Sequence, residues 1–397
     1  MLTRRTVLLQ SSGILATSTL FGKALGAAAP EAPGLESLAG KQPLIKRAYR
    51  PPNYETPVAW LQEPITPNDR FFVRWHLANI PAVDVSGWRL SVGGDAVTAP
   101  RSFTLEELRR DFQPVEVVAV CQCAGNQRGL TDPRVPGVQW GVGAVGNARW
   151  RGVRLRDLLE RAGYRKDVVL EVAFNGGDGP VLEVTPDFVK SLPAAKALHE
   201  STLIAYEMNG AALPHFNGFP ARLIVPGWAG TYWVKQLISV EARTQPFAGF
   251  WMKSAYRVPM GKFPGADPFT SQEADGTTPI TNIDLNALIT SVRNGERVKR
   301  GAALHLQGVA WDAGQGIRSV EVSGGTGQGW QQAELGPDLG AYAFRPWRLR
   351  LVPRTPGTVT LSVRAVNRVG LTQPDTWTVN PAGYHNNVTS RTTIEVI

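Results

Sequence analysis

Residues 114–128 read PVEVVAVCQCAGNQR and hold both cysteines of a chain of 397 residues. The crowded valines predict a buried strand, and the Ala-Gly-Asn that follows predicts the turn that ends it. Cys121 and Cys123 thus lie where a buried strand opens into a loop, a frequent place for reactive groups. Side chains two apart share one face of a strand, but joining them in a disulfide would strain the backbone. Cys123 has Gly125 behind it, which lets the backbone come close, and Arg128 five residues on. A thiolate in that setting is a soft metal ligand or a nucleophile, with an inert buried thiol as the plain alternative. Cys121 has no loop around it and reads as packing.

Upstream, RFFVRWHLANIP (70–81) predicts a strand that puts Arg74 and His76 on one face and Trp75 on the other. WRLSVGG (88–94) reads as a strand ending in a Gly-Gly turn. In TLEELRRDF (104–112), Thr104 and Glu107 form a capping box that opens a short helix. Downstream, RLRDLLERAG gives a second helix that stops at Gly163. DVVLEVAFNGGDGP is a strand running into a Gly-rich loop around Asp178. RLIVPGWAGTYWVKQLISVEA (222–242) reads as a strand pair about a Pro-Gly turn, and LPHFNGFPARLIVPGWAGTYWVK (213–235) offers His215, Asn217, Arg222 and Lys235 as unusually dense donors in apolar surroundings. Lys235 sits within WVKQLISV, and a lysine there either snorkels or is enclosed for a purpose.

At the N-terminus, paired arginines precede the apolar run SSGILATSTLFGKALG and three alanines. Residues 1–28 are therefore expected to be a twin-arginine export signal, too short to span a membrane. The net charge of +9 falls to about +6 once Arg4, Arg5 and Lys23 leave with it. A basic surface of this kind favours anionic substrates or acidic partners. With no run of Lys or Arg, nucleic acid is not expected as a partner. Residues 29–67 are rich in proline and read as an extended arm on a domain surface. After about residue 280, short alternating strands recur every 8–12 residues between Gly, Pro and Asn, which is the pattern of an antiparallel sandwich. The boundary is drawn in ADGTTPITNIDLN.

These segments together resemble the sulfite oxidase family of molybdenum enzymes. FFVRWHLANIP, CAGNQRG, GVGAVGNARWRGVRLRDLL, LIAYEMNGAALP, NGFPARLIVPGW and WVKQL carry the likeness over about residues 70 to 256, and GVAWDAGQGIRSVEVSGGTGQGW extends it into the sandwich. The resemblance implies an α+β fold, with a mixed α/β molybdopterin-binding domain (68–275) followed by an immunoglobulin-like dimerisation domain (276–397). It implies that Cys123 is the protein ligand of molybdenum, alongside a pyranopterin. Arg74, Arg128 and Lys235 would surround the sulfite oxyanion or the pterin, and Tyr256 would stand beside the metal. His76, Asp178, Asn217, Arg222, Trp233 and Val234 would bind the pterin and its phosphate, together with Arg74 and Lys235. The animal enzymes carry histidine at Asn217, a departure in this chain.

The activity so implied is oxidation of sulfite to sulfate by oxygen-atom transfer. No Cys-x-x-Cys-His haem attachment is present, so the expected electron acceptor is a separate periplasmic c-type cytochrome. The chain would then act as a homodimer, or as a heterodimer with a cytochrome subunit. A sulfane dehydrogenase component of a sulfur-oxidation complex is the alternative within the family. Acyl transfer by Cys123 with His76 as base is the alternative from another class. The C-terminal domain is expected to be structural, so that its removal spares catalysis.

Overall fold

The computed structural model describes residues 34–260, 272–273, 276–324 and 329–397. The expected export signal lies outside the described residues. No described helix is long and apolar enough to cross a membrane. Among the described residues the chain is mostly strand, and its helices are few and short, so the expected mixed domain takes a β-rich form.

The cysteine strand is Val115–Gln122. It pairs antiparallel with the long strand Val145–Arg154, which pairs in turn with Leu203–Met208, so the thiols stand at the buried end of an edge strand. A second sheet runs Val189–Pro193, Glu171–Gly176, Leu237–Arg243, Leu90–Gly93, Arg101–Phe103. Its one parallel pair joins Leu237–Arg243 to Leu90–Gly93. The capping box forms as expected, with Glu107 N–H donating to Thr104 Oγ1 and Thr104 N–H to the Glu107 carboxylate. Helix Leu155–Arg161 buries three leucines, and Gly163 ends it in the left-handed region at φ 68°.

Two expectations fail here. The segment before residue 67 does not lie on the surface as an arm. Its residues Leu35–Glu36, Leu44–Ala48 and Asn53–Glu55 form a sheet with Val73–Arg74, and Leu44, Tyr54 and Leu61 are fully buried. Strands of two to five residues broken by Pro and Gly leave no window long enough to show alternation. The segment 222–242 is not a two-stranded ladder of its own either, although Leu223 N–H donates to Val234 O at 2.8 Å and Leu237 N–H to Ala221 O at 2.9 Å. Arg222–Ile224 pairs with Leu203–Met208, while Leu237–Arg243 belongs to the other sheet. The turn between them carries the chain from one sheet to the other, so its polar residues face the gap between the two.

The sandwich is present as two sheets over a shared apolar core that includes Trp347, Leu306, Val320 and Leu361. One runs Asn286–Ile289, Leu304–Trp311, Arg345–Leu351, Glu334–Leu335. The other runs Glu296–Val298, Ser390–Val396, Gly357–Asn367, Ile317–Ser323, Gln331–Gln332, and its edge pair Glu296–Val298 with Ser390–Val396 is parallel. A further apolar cluster bridges the two parts of the chain. Leu61, Val120, Val145 and Tyr256 from the first part pack with Ile280, Val309, Trp311, Phe344 and Tyr384 from the second. Trp311 Nε1 donates to Gln122 Oε1 at 2.6 Å, so the sandwich grips the strand that carries both thiols.

Candidate functional site

At the C-terminal end of the cysteine strand lies a partly enclosed cavity. Arg74, His76, Asn217, Arg222, Trp233, Lys235 and Tyr256 line it, together with both cysteines. The sequence reading separated Cys121 from Cys123, but the strand's parity turns both thiols to the same cavity. Gly230 makes room there: a Cβ at that position would lie 2.9 Å from Gln122 O and 3.2 Å from Cys121 Sγ. Burial pushes the Cys121 thiol up to about 11 against the pull of Arg222 and Lys235, so it keeps its proton.

The turn after Cys123 is fixed from inside. Asn126 N–H donates to Cys123 O at 2.9 Å, and Asn126 Oδ1 accepts from Ala144 N–H at 3.0 Å. Gln127 then takes φ 67°, which throws the chain back so that Arg128 lies over Gly125. Arg128 is buried, with Nε donating to Ala382 O and a terminal N–H to Val138 O, and it stands beyond the cavity wall proper. Asp178 and Val234 are also off the wall. Asp178 is buried and raised to about 6 by burial, which Lys235 partly offsets, and Val234 packs beside Gly176.

Arg74 and His76 share a face as expected, and both reach Tyr256. Arg74 donates to the phenol oxygen at 3.4 Å, and His76 Nε2 is hydrogen-bonded to it. The imidazole stacks on Phe188 at 3.7 Å. Burial, then Arg74, Lys235 and Lys190, hold its pKa well below the ordinary imidazole value, so it stays neutral. Tyr256 itself sits at φ 59°, a left-handed conformation costly for an aromatic residue. A neutral imidazole turned to a phenol is a poor base for Cys123, which counts against acyl transfer.

The rest of the wall consists of donors and cations. Arg222 gives N–H bonds to Asn217 O at 2.8 Å and Trp233 O at 3.0 Å, while its Nε and Thr231 Oγ1 are buried without a partner. Lys235 lies 4.3 Å over the Trp75 ring, and loss of water drives it down to about 7. Orphaned donors and undercompensated cations in one enclosed space fit an anion rich in acceptor oxygens and nitrogens, which is the donor chemistry a phosphorylated pterin calls for.

The sequence reading missed three cationic or aromatic neighbours. Lys41 comes from the supposed arm, is buried, and donates to Phe71 O at 3.1 Å and to Asn217 Oδ1. An ammonium only donates, so it fixes Asn217 with its amide oxygen on Lys41 and its Nδ2 donating to Phe72 O at 3.2 Å. Lys190 lies 5.1 Å from the Tyr256 ring and donates to Trp251 O at 2.6 Å. Its signal was available, since Phe188 and Lys190 share strand parity in PDFVKSLP. Tyr384 arrives from the C-terminal domain. Lys41→Met is expected to lower the molybdopterin recovered with purified protein at least fivefold while leaving the circular dichroism spectrum intact, as measured by fluorescence of the oxidised pterin.

Lys41, Lys190 and Lys235 all fall to about 7 in the fold, each first through burial. Their unfolded value is about 10.4, so between pH 7 and 10 the unfolded chain binds more protons than the fold. Stability from these groups therefore rises with pH through that window and is lost as pH falls toward 7. Thermal unfolding of cofactor-free protein should show a melting temperature higher at pH 9 than at pH 7. Cofactor-loaded protein, whose anion raises the Lys235 value, should show a flatter profile.

Residues 76–251 match the oxidoreductase molybdopterin binding domain, and residues 277–397 match the Mo-co oxidoreductase dimerisation domain. The chain is 34% identical to the sulfite oxidase of Gallus gallus over 87% of its own length and 77% of the relative's. It is 34% identical to the mitochondrial sulfite oxidase of Rattus norvegicus over 88% of its length, and spans 65% of that protein. The crystal structure of the sulfane dehydrogenase SoxCD from Paracoccus pantotrophus superposes with a TM-score of 0.74 at 25% identity, covering 94% of this chain and 93% of that one. With a thiol-bearing strand end, a cation-lined cavity and both matching domains, the chain belongs to the sulfite oxidase family of molybdenum-dependent oxidoreductases.

Proposed function

We propose that this protein oxidises sulfite to sulfate outside the cytoplasm and passes the electrons to a separate c-type cytochrome. The observation that carries the reading is the gathering of Arg74, Lys235 and Tyr256 with Cys123 around one cavity, with Arg128 close behind. Cys123 is the residue to hold the metal. His76, Asn217, Arg222, Trp233 and Lys235 would hold the pterin and its phosphate, with Val234 packed behind them and Asp178 balancing Lys235. When bound, the molybdenum pyranopterin supplies two-electron oxygen-atom chemistry.

Sulfite is a small dianion, and the planar forks of Arg74 and Arg128 suit its oxygens. Tyr256, between Arg74 and His76, holds its phenol proton, because burial raises it above the ordinary value. A neutral His76 hydrogen-bonded to the same oxygen holds the phenol in place. Apolar walls formed by Phe72, Phe188 and Trp233 exclude water and strengthen each of these contacts. Arg74→Gln or Arg128→Gln is expected to raise the sulfite KM about tenfold or more with a smaller change in kcat, checked by steady-state kinetics.

Export by the twin-arginine route and residence in the periplasm are part of this reading, as is a dimer, either with itself or with a cytochrome subunit. The dimerisation-domain match supports the dimer. The deciding experiment is sulfite-dependent reduction of cytochrome c by the purified holoenzyme, and no turnover would sink the reading. The match to SoxCD over nearly the whole chain favours one second reading, a sulfane dehydrogenase component. Turnover of protein-bound sulfane sulfur, with none of sulfite, would select it.

A further inference from the structure

We infer that Tyr384, delivered by the C-terminal domain, is a positioning residue that fixes Arg128 for oxyanion binding and so makes substrate affinity depend on that domain. The inference rests on Arg128 serving as an oxyanion contact.

Arg128 runs through a narrow sleeve. On one side its guanidinium lies against two glycines: a Cβ on Gly125 would stand 2.5 Å from the nearer terminal nitrogen, and one on Gly137 would stand 3.0 Å from it. A Cβ on Gly383 would come within 2.8 Å of Arg128 Cγ. The Tyr384 ring closes the sleeve, with its centroid 5.4 Å from the guanidinium carbon, within reach of a cation–π attraction. The same ring stacks on Tyr256 at 5.6 Å and 14°, so one side chain touches both the arginine and the tyrosine of the site.

The loop that carries Tyr384 is held as firmly as its cargo. Asn380 accepts from Tyr384 N–H at 3.0 Å and donates to Tyr384 O at 2.9 Å. Ala382 O takes the Arg128 Nε proton at 2.7 Å, and Asn386 Nδ2 donates to Gln127 O at 3.0 Å. Nε and one terminal N–H are thus engaged by Ala382 and Val138, out of five donors on the guanidinium. The remaining donors are aimed by the sleeve. An arginine without such walls would sample many rotamers, and the ordering would be charged to each binding event.

The test compares Tyr384→Leu with Tyr384→Phe in holoenzyme. Leucine removes the ring, and phenylalanine keeps it. Tyr384→Leu is expected to raise the sulfite KM about tenfold with kcat within about threefold, while Tyr384→Phe restores a KM within about twofold of wild type. An unchanged KM in Tyr384→Leu, or equal damage from both variants, would overturn the inference. Should Tyr384→Leu fail to fold, Asn386→Ala loosens the loop with the ring in place. A raised KM there supports the inference, and a wild-type KM refutes it. Wild-type protein without sulfite turnover would count against the proposed function alone. The comparison then passes to sulfate affinity measured by calorimetry on the same proteins, with a tenfold weaker affinity in Tyr384→Leu expected and equal affinities overturning the inference.

Discussion

Cys123→Ser is expected to abolish turnover, with a loss on the order of 10³-fold or more, because the side chain proposed to hold the metal loses its sulfur. A serine oxygen is harder and far less acidic than a thiol, so it is a poor partner for a soft centre. The fold should persist. The turn after Cys123 is held by backbone groups and Asn126 and not by the sulfur. Metal analysis, pterin content and a melting curve separate this outcome from unfolding: pterin retained, stability within a few degrees, activity gone. Cys121→Ser provides the contrast. That thiol also faces the cavity but is pushed up to about 11, so it keeps its proton and behaves as a small packing group beside Arg222. A moderate loss of cofactor and activity is expected, far short of that at Cys123. The reverse ranking would overturn the choice of ligand.

Deleting residues 277–397 should leave no soluble, folded catalytic domain, contrary to what the sandwich's sequence pattern implies. The cut removes Ile280, Val309, Trp311, Phe344 and Tyr384 from a core they share with Leu61, Val120 and Tyr256. At about 1.5–3 kcal/mol for each large side chain buried, the lost packing is on the order of 10 kcal/mol. That is comparable to the whole stability of an ordinary domain. The cut also strips Gln122 of its Trp311 partner and Arg128 of the Ala382 carbonyl. Soluble yield, near-UV circular dichroism and pterin content of the truncated chain check this. A well-folded, loaded fragment with full sulfite turnover would refute it.

Much of this was legible beforehand because local rules govern it. The valine run around residue 117, the capping box at Thr104 and the alternating strands beyond residue 280 each declare themselves within a dozen residues. The sharing of a face by Arg74 and His76 follows from strand parity alone. What escaped depends on contacts between distant segments. Lys41 looks like a solvated lysine in GKQP until the short strands around it pair with Val73–Arg74 and bury it against Asn217. Tyr384 looks like a loop tyrosine until the sandwich docks. The segment 222–242 misled because a turn between strands is the same in sequence whether its arms join one sheet or two. The position of Arg128 just outside the cavity wall was likewise invisible, since it is set by a carbonyl 254 residues away.

Those separations bear on when the protein can become competent. Lys41 meets Asn217 across 176 residues, Gln122 meets Trp311 across 189, and Gln127 meets Asn386 across 259. Contacts this remote form late, because a long stretch of chain must be ordered before any of them is rewarded. A ribosome releasing residues in order holds the two cysteines in finished form long before the loop at 380–387 exists. The walls around the turn after Cys123 are therefore completed only once the loop at 380–387 has emerged and folded back onto it.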